Sequence, residues 1–278
     1  MTPVNFELPL AQKIRKQIVQ ALNDFNMIED GDKIMVCVSG GKDSSILLAL
    51  LTEIQRRSER RFTIEAAILD QKQPGFDATA FRTWIASLGV KLHVLEKDTY
   101  SIVKEKVQGG TYCSLCSRLR RAILYDFAYD NGFTKMALGH HRDDVVHTAL
   151  LNLFYIGTTA TMPAKLLSDD GRNIVVRPLT YVSERDIETL AAEWNFPIIP
   201  CNLCGSQDGL KRMRVKKLMR DLEKEIPNIY ASIQTGLANV KPSHMLDQQL
   251  FDFKNLKASP AEPLDASQPL PTNDESLV

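Results

Sequence analysis

The chain lacks an excess of charge of either sign, since its 278 residues contain 34 Lys plus Arg and 34 Asp plus Glu. Any attraction to nucleic acid must therefore come from local patches and not from net charge. The chain also lacks an apolar run near the roughly 20 residues that cross a bilayer, and its first residues lack the apolar region of a signal peptide. We expect a cytoplasmic enzyme with no membrane partner.

Cysteine is scarce, with five residues, and disulfides are not expected in a reducing compartment. Four of the five form two C-x-x-C pairs, Cys113 with Cys116 and Cys201 with Cys204, a spacing typical of metal or cluster sites. If the fold brings both pairs together, the thiolates would bind Zn²⁺ or hold an iron–sulfur cluster, and spacing alone favours zinc. Cys37 lies inside a predicted strand and is expected to be a buried small hydrophobic residue.

Predicted strands alternate with predicted helices over the first 200 residues, and the composition is that of a globular protein, 44% hydrophobic and 24% charged. This order predicts an α/β fold, a doubly wound parallel sheet with helices on both faces. We expect a domain over residues 1–200 that includes an N-terminal helix, a helical extension over residues 201–257 and a disordered tail, rich in Pro and acidic residues, over residues 258–278.

A glycine turn follows the first predicted strand, residues 34–38, and reads Ser39-Gly40-Gly41-Lys42-Asp43-Ser44. The turn is too short for the P-loop pattern G-x-x-x-x-G-K-[ST]. A buried strand, two glycines and a helix start would nevertheless bring backbone N–H groups and the helix dipole to one anion site. The motif resembles the PP-loop of ATP pyrophosphatases, which bind the β- and γ-phosphates as a leaving group. The alternative is an ordinary strand-to-helix turn.

Carboxylates follow several predicted strands, and in parallel sheets ligands bind beyond the carboxyl ends of the strands. Ser39, Asp70 and the motif Gly139-His140-His141-Arg142-Asp143-Asp144 should therefore face one crevice. Asp43, Asp143 and Asp144 are candidate Mg²⁺ ligands, although each could instead cap a helix. The two histidines could contact phosphate or make structural hydrogen bonds.

Two basic segments follow the cysteine pairs and contain few acidic residues. Because both flank the same predicted cysteine site, contact with a nucleic-acid backbone is favoured over a merely solvated face. The opposite stripe of the second helix is predicted to be apolar and consists of Val215, Leu218, Met219 and Leu222. The candidate RNA-binding residues are Arg118, Arg120 and Arg121 in the first segment and Lys211, Arg214 and Lys217 in the second, where Arg212, Lys216 and Arg220 extend the run.

Five motifs in this order resemble the tRNA 2-thiocytidine synthetases, the TtcA family, up to about Phe253. They are Ser39-Gly40-Gly41-Lys42-Asp43-Ser44, Leu69-Asp70-Gln71-Lys72-Gln73-Pro74-Gly75-Phe76, Cys113-Ser114-Leu115-Cys116-Ser117-Arg118, Gly139-His140-His141-Arg142-Asp143-Asp144 and Pro200-Cys201-Asn202-Leu203-Cys204-Gly205-Ser206-Gln207.

The resemblance implies an ATP- and Mg²⁺-dependent enzyme that replaces the C2 oxygen of cytidine 32 in the tRNA anticodon loop with sulfur. It also implies a [4Fe-4S] cluster held by Cys113, Cys116 and Cys204, with Cys201 spare, in place of zinc. A sulfur donor system such as a cysteine desulfurase and a homodimer are further expectations. The nucleotide site would comprise the PP-loop residues with Leu69, Asp70, Gly139 and His140, and the catalytic residues would be Asp43, Asp143 and Asp144.

Three alternatives remain open from the sequence. A related PP-loop tRNA thiolase would act on uridine, and a lysidine-type tRNA ligase would not need paired cysteines. A zinc-stabilised RNA-binding protein would not need the PP-loop.

Overall fold

The computed structural model describes residues 4–106, 112–199 and 208–258, and strands and helices alternate over the first two ranges. The helices are α1 Pro9–Asp24, α2 Lys42–Arg57, α3 Thr79–Ser87, α4 Thr99–Lys106, α5 Tyr112–Asp130, α6 Arg142–Tyr155, α7 Glu184–Trp194, α8 Asp208–Glu225 and α9 Ile229–Ala238. The strands are β1 Lys33–Cys37, β2 Thr63–Asp70, β3 Lys91–Glu96, β4 Lys135–Leu138, β5 Lys165–Leu167 and β6 Ile174–Val176.

The six strands form one sheet in the order β3-β2-β1-β4-β6-β5, with β5 antiparallel at the edge and the other neighbours parallel. The predicted α/β class is confirmed. Two elements were not predicted from the sequence, the short edge strand β5 and helix α4. Strand β5 has three residues, none of them fully buried, so it lacks the apolar run that marked the other strands.

Each face of the sheet is covered by helices. Alternate residues of β1 point to opposite faces, so Val36 joins a large core with α1, α2, α3 and α7, whereas Met35 packs with α5 residues Leu124 and Ala128. Helix α2 is the centre of the larger core, and its run from Ser44 to Ile54 is buried throughout. A helix buried this thoroughly fixes the position of the glycine turn from which it starts.

A third cluster joins α6, α8 and α9. Val215 and Met219 of α8 are buried against Val146 of α6, and His147 Nε2 lies 3.1 Å from the Tyr230 hydroxyl of α9. The chain divides into two compact units, Met1–Gln234 and Thr235–Val278. The predicted boundary between residues 200 and 201 stays a prediction because it lies outside the described residues, as does nearly all of the predicted tail. No helix in the described part of the chain is long and apolar enough to span a membrane.

Candidate active site

The glycine turn between β1 and α2 is held by the hydroxyls of its own motif. The Ser39 amide donates to Ser44 Oγ at 3.1 Å, and Ser44 Oγ donates to the Gly41 carbonyl at 3.2 Å. Ser45 Oγ donates to the same carbonyl at 2.9 Å. Gly41 is the N-cap of α2 and provides no side-chain cap, so the first amides of this buried helix remain available to an anion.

Two glycines allow a close approach of backbone that any side chain would block. A Cβ on Gly139, just after β4, would lie 2.9 Å from the Ser44 amide nitrogen. Gly40 has a φ of +79°, and a Cβ there would lie 2.6 Å from Ile199 Cβ. The turn is therefore pressed between the β4 end and the segment after α7, which leaves a cradle of main-chain groups suited to phosphate.

Lys42 lies at the start of α2 among three carboxylates. Its Nζ is 3.0 Å from Asp43 Oδ1, 3.8 Å from Glu184 Oε1 and 4.0 Å from Glu188 Oε1. Burial lowers the pKa of the ammonium, but these carboxylates outweigh burial and raise the pKa above its ordinary value. Asp43 Oδ1 is buried and lies against Lys42 Nζ, so a metal ion bound by this carboxylate would share it with the lysine.

The other predicted aspartates lie in the first turn of α6. Asp143 Oδ2 accepts a hydrogen bond from the Glu184 amide at 3.0 Å and so links the N-termini of α6 and α7. Asp144 Oδ1 accepts from Arg212 at 2.8 Å, and its other oxygen accepts from the His141 amide at 3.3 Å. Both carboxylates therefore have structural partners, but neither is the N-cap of α6, which is His141.

The charges around Asp144 decide its protonation. Burial would raise the pKa of this carboxyl, but His141, Arg212 and His140 outweigh burial, and the pKa is lowered. His140 is different, because burial and then Arg177 lower the pKa of its imidazole to about 4. The imidazole is therefore neutral at pH 7, and its Nδ1 accepts a hydrogen bond from Arg177 Nε at 3.3 Å. His140 is therefore an acceptor at this edge of the sheet and not a cation for phosphate.

The two predicted β2 residues occupy the same edge. Leu69 is buried, and Asp70 ends the strand, where its carboxylate accepts from the Lys72 amide at 2.7 Å. Lys72 has a φ of +60° and its Nζ bridges Asp70 to Glu96 of β3. The predicted residues from three strand ends thus lie along one sheet edge, in the order β2, β1, β4.

Sequence reasoning missed Glu184, the first residue of α7. Its carboxylate accepts two hydrogen bonds from Lys216 Nζ of α8, both at 3.0 Å, and lies near Lys42. Ser183 caps this helix by accepting from the Asp186 amide at 3.1 Å. The strand-end rule applied to β6, which leads into α7, could have found Glu184. Its pairing with Lys216 depends on how α8 packs, which the sequence does not reveal.

The predicted cysteine site is only partly described. Cys116 Sγ donates to Gln71 Oε1 at 3.1 Å, one residue after Asp70, which places Cys116 near the end of β2. Cys201 and Cys204 lie outside the described residues, as does the Cys113 side chain, and the described part of the chain contains no cluster of metal-ligating side chains. Cys37 is half-buried, less enclosed than predicted, and burial raises the pKa of its thiol to about 12.

The basic run of α8 divides into two faces. Arg212 and Lys216, one turn apart, point inward and pair with Asp144 and Glu184. Lys211, Arg214 and Lys217 are exposed, as are Arg118 and Arg121 on α5, while Arg120 is half-buried. Of the stripe predicted to be apolar, Val215 and Met219 are buried, whereas Leu218 is exposed. The residues predicted to bind RNA on α8 are thus on its outer face.

The fold and this edge define a class of nucleotide-binding protein. A sequence model of the PP-loop domain family matches residues 10–199, which contain the glycine turn and the motifs at the ends of β2 and β4. The U34-tRNA thiolase NcsA from Methanococcus maripaludis, solved with its [4Fe-4S] cluster, shares the fold with a TM-score of 0.66 at 21% identity, over 84% of this chain and 80% of that one. The chain is therefore a PP-loop protein.

Curated relatives narrow the class. The tRNA-cytidine(32) 2-sulfurtransferase of Bdellovibrio bacteriovorus is 83% identical over 254 residues, which are 91% of this chain and 98% of the relative. The enzyme of the same name from Stutzerimonas stutzeri is 54% identical over 249 residues, 89% of this chain and 91% of that one. The chain belongs to the family of tRNA-cytidine(32) 2-sulfurtransferases, which confirms the resemblance noted in the sequence.

Proposed function

We propose that this protein is an ATP-dependent tRNA sulfurtransferase that converts cytidine 32 of the anticodon loop to 2-thiocytidine. One observation supports it most directly. The starts of α2, α6 and α7 are tied together around the glycine turn by Lys42, Asp143 and Glu184, in a chain 83% identical to a curated relative of that name. Three helix N-termini at the carboxyl edge of one sheet favour the binding of a polyphosphate.

The chemistry follows from the poor leaving ability of a carbonyl oxygen. The C2 oxygen of the cytidine attacks the α-phosphate of ATP, the bond to the β-phosphate oxygen breaks and pyrophosphate leaves. A sulfur nucleophile then adds at C2, and AMP departs with the original oxygen. In this scheme the α2 amides and Lys42 hold the departing pyrophosphate, and Gly139 lets the start of α2 pack against the end of β4.

The aspartates fit a magnesium role to different degrees. Asp43 lies in the first turn of α2 beside the phosphate cradle, so it is the residue best placed to bind Mg²⁺, which would share its carboxylate with Lys42. Asp143 and Asp144 can join it only by exchanging present partners, the Glu184 amide and Arg212. Magnesium would offset the charge that develops on pyrophosphate.

Cys113, Cys116 and Cys204 would hold a [4Fe-4S] cluster, which would provide the place where sulfur is delivered. Support comes from the thiolate chemistry of the two pairs and from the cluster of the structural neighbour. Anaerobic reconstitution of single Cys→Ser variants tests this ligand set. Loss of visible absorption and bound iron is expected for these three, and retention for Cys201→Ser. Stoichiometric zinc in a colourless wild type would contradict the cluster.

The same proposal includes tRNA as the macromolecular substrate, a sulfur donor system such as a cysteine desulfurase, a homodimer and a cytoplasmic location. Residues 1–200 would form the catalytic domain and residues 201–257 the tRNA-binding extension. An anticodon loop suits the chemistry because its bases are single-stranded and reach a pocket with little unstacking.

The decisive experiment uses tRNA as substrate and as analyte. Purified protein with a sulfur source should form AMP from ATP only when unmodified tRNA is present, and mass spectrometry of the digested tRNA should find 2-thiocytidine. Thiolated uridine in its place would support the related thiolase, and RNA binding without AMP formation would support a non-catalytic protein.

A further inference from the structure

The last turn of α6 exposes an unusual run of apolar side chains. Leu153 is 51% exposed, Phe154 52%, Tyr155 43% and Ile156, just after the helix, 69%. Single apolar residues at a surface are ordinary, but four in succession, two of them aromatic, mark an interaction site. We call residues 153–156 the aromatic patch.

Cations adjoin this patch. Lys211 Nζ lies 4.9 Å from the centre of the Tyr155 ring, and Arg214 and Lys217 are exposed on the same helix, α8. Neither residues 153–164 nor residues 211–220 contain an Asp or a Glu. The local charge is therefore positive although the net charge of the whole chain is zero, and the surface is suited to a partner that is both anionic and aromatic.

We propose that Phe154 and Tyr155 form a stacking platform for single-stranded RNA bases near the modified nucleotide, with Lys211 and Arg214 against the phosphates. This inference rests on the proposed function and adds to it the part of the RNA that the patch binds. Aromatic rings with adjacent cations are the usual means of holding single-stranded nucleic acid. Successive helical residues point about 100° apart, so the two rings offer faces to two different bases.

The distance to the nucleotide site is compatible with one RNA loop. Asp144 and Tyr155 lie on the same helix, 11 residues apart, which corresponds to about 16 Å at about 1.5 Å per residue. That length matches about five stacked nucleotides at about 3.4 Å each. A loop with its target base at the N-terminus of α6 can therefore reach the patch at the other end of the helix.

A second copy of this chain fits the patch less well. A symmetric dimer through this patch would bury the same surface of both copies, so it would bring two sets of Lys211 and Arg214 into one interface. Repulsion between like charges without an intervening acid disfavours that interface. RNA phosphates neutralise these cations instead.

The test measures affinity for unmodified tRNA and for an anticodon stem-loop oligonucleotide, with full-length protein. Phe154→Ala and Tyr155→Ala should each weaken binding about 5- to 150-fold, the range for loss of one stacked base. Tyr155→Phe should bind like the wild type, and Tyr155→Leu should resemble the alanine variant. The slope of log affinity against log salt should not change, since stacking releases no counterions.

An exposed tyrosine outside the aromatic patch gives a matched control. Tyr129 of α5 is 56% exposed and has Arg172 at 5.2 Å from its ring, but Arg172 is paired with Asp126 and Asp170. Tyr129→Ala should therefore leave tRNA affinity unchanged. All these positions are exposed, and unchanged circular dichroism would show that the variants fold.

The outcomes separate this inference from the proposed function. If the wild type forms 2-thiocytidine while Phe154→Ala and Tyr155→Ala bind tRNA normally, the stacking platform is wrong and the function stands. If Tyr155→Leu binds like the wild type, the contact is apolar and not stacking. A change of mass from dimer to monomer in the alanine variants would assign the patch to a second copy. A wild type that neither binds nor modifies tRNA would overturn the function itself.

Discussion

The strand-end edge and the outer face of α8 use the same residue types in opposite ways. At the edge, Lys42, Arg212 and Lys216 each lie within 4 Å of a carboxylate. On the outer face, Lys211, Arg214 and Lys217 make no ion pair with any described residue. The difference follows from burial, because a partly desolvated cation needs a compensating anion, whereas an exposed one is compensated by water and salt.

This contrast assigns different work to the two faces of one helix. The inner cations attach α8 to the first turns of α6 and α7, beside the nucleotide site. The outer cations remain available to a large anion from solution. A basic run in a sequence can therefore include both structural and binding residues, and the helical period separates them.

The strongest test of the edge is Asp43→Ala. It removes the carboxylate in the first turn of α2, beside the phosphate cradle, and thiolation should fall by about two orders of magnitude or more because metal stabilisation of pyrophosphate is lost. The fold and cluster should be retained, because 34% of this side chain is exposed and it is not part of the apolar core. Pyrophosphate release in the presence of tRNA is the measurement, and release at the wild-type rate would remove Asp43 from the mechanism.

Gly139→Ala tests the close packing of the edge. A Cβ there meets the backbone of Ser44 at 2.9 Å, so we expect destabilisation of about 1–3 kcal/mol and weaker ATP binding. Gly236→Ala is the matched control, since that helical glycine has open space around it and alanine should stabilise by about 0.5–1 kcal/mol. Urea unfolding measures the stability of both variants. Equal stabilities would mean that the turn is not tightly packed.

Arg212→Gln compared with Arg214→Gln tests the two faces directly. The first should lower the free energy of unfolding by about 1 kcal/mol, allowing for the 42% exposure of Arg212, and the second by less than about 0.5 kcal/mol. The pKa of Asp144 is lower in the folded protein than in the unfolded chain. The contribution of this carboxylate to the free energy of unfolding is therefore present above the unfolded pKa of about 4, and it is lost as the pH falls through the folded pKa.

The difference in the free energy of unfolding between these two variants should therefore be largest at pH 7 and should decrease toward pH 3. Denaturant unfolding at both pH values measures it. A gap that is the same at both would show that Asp144 is not the partner that matters.

The smallest expected effect is on the outer face. Neutralising Arg214 and Lys217 together should reduce the slope of log affinity for tRNA against log salt by about one to two units. The reason is that each phosphate that loses its protein contact keeps its counterion when the complex forms. Stability and the ATPase chemistry should not change. An unaltered slope would make this face a solvated surface only.

The sequence determined the parts of this protein that depend on local pattern. Apolar runs and glycine punctuation located β1, β2, β4 and the helices after them, and strand ends identified Ser39, Asp70 and Gly139 as neighbours, because carboxyl ends of parallel strands meet at one edge. The glycine motif predicted the phosphate cradle, since only glycine allows such an approach of backbone. The strands, the helices after them and the glycine turn could be predicted because each depends on a few consecutive residues.

Tertiary structure decided the pairings between distant residues. Glu184 between Lys42 and Lys216, Arg212 on Asp144 and Cys116 on Gln71 join residues 32 to 142 positions apart, and no local pattern selects such partners. The division of α8 into an inner and an outer face likewise depended on which stripe α6 covers. Basic residues that are neighbours in the α8 sequence therefore differ in burial, because burial depends on the packing of the whole chain and not on the segment alone.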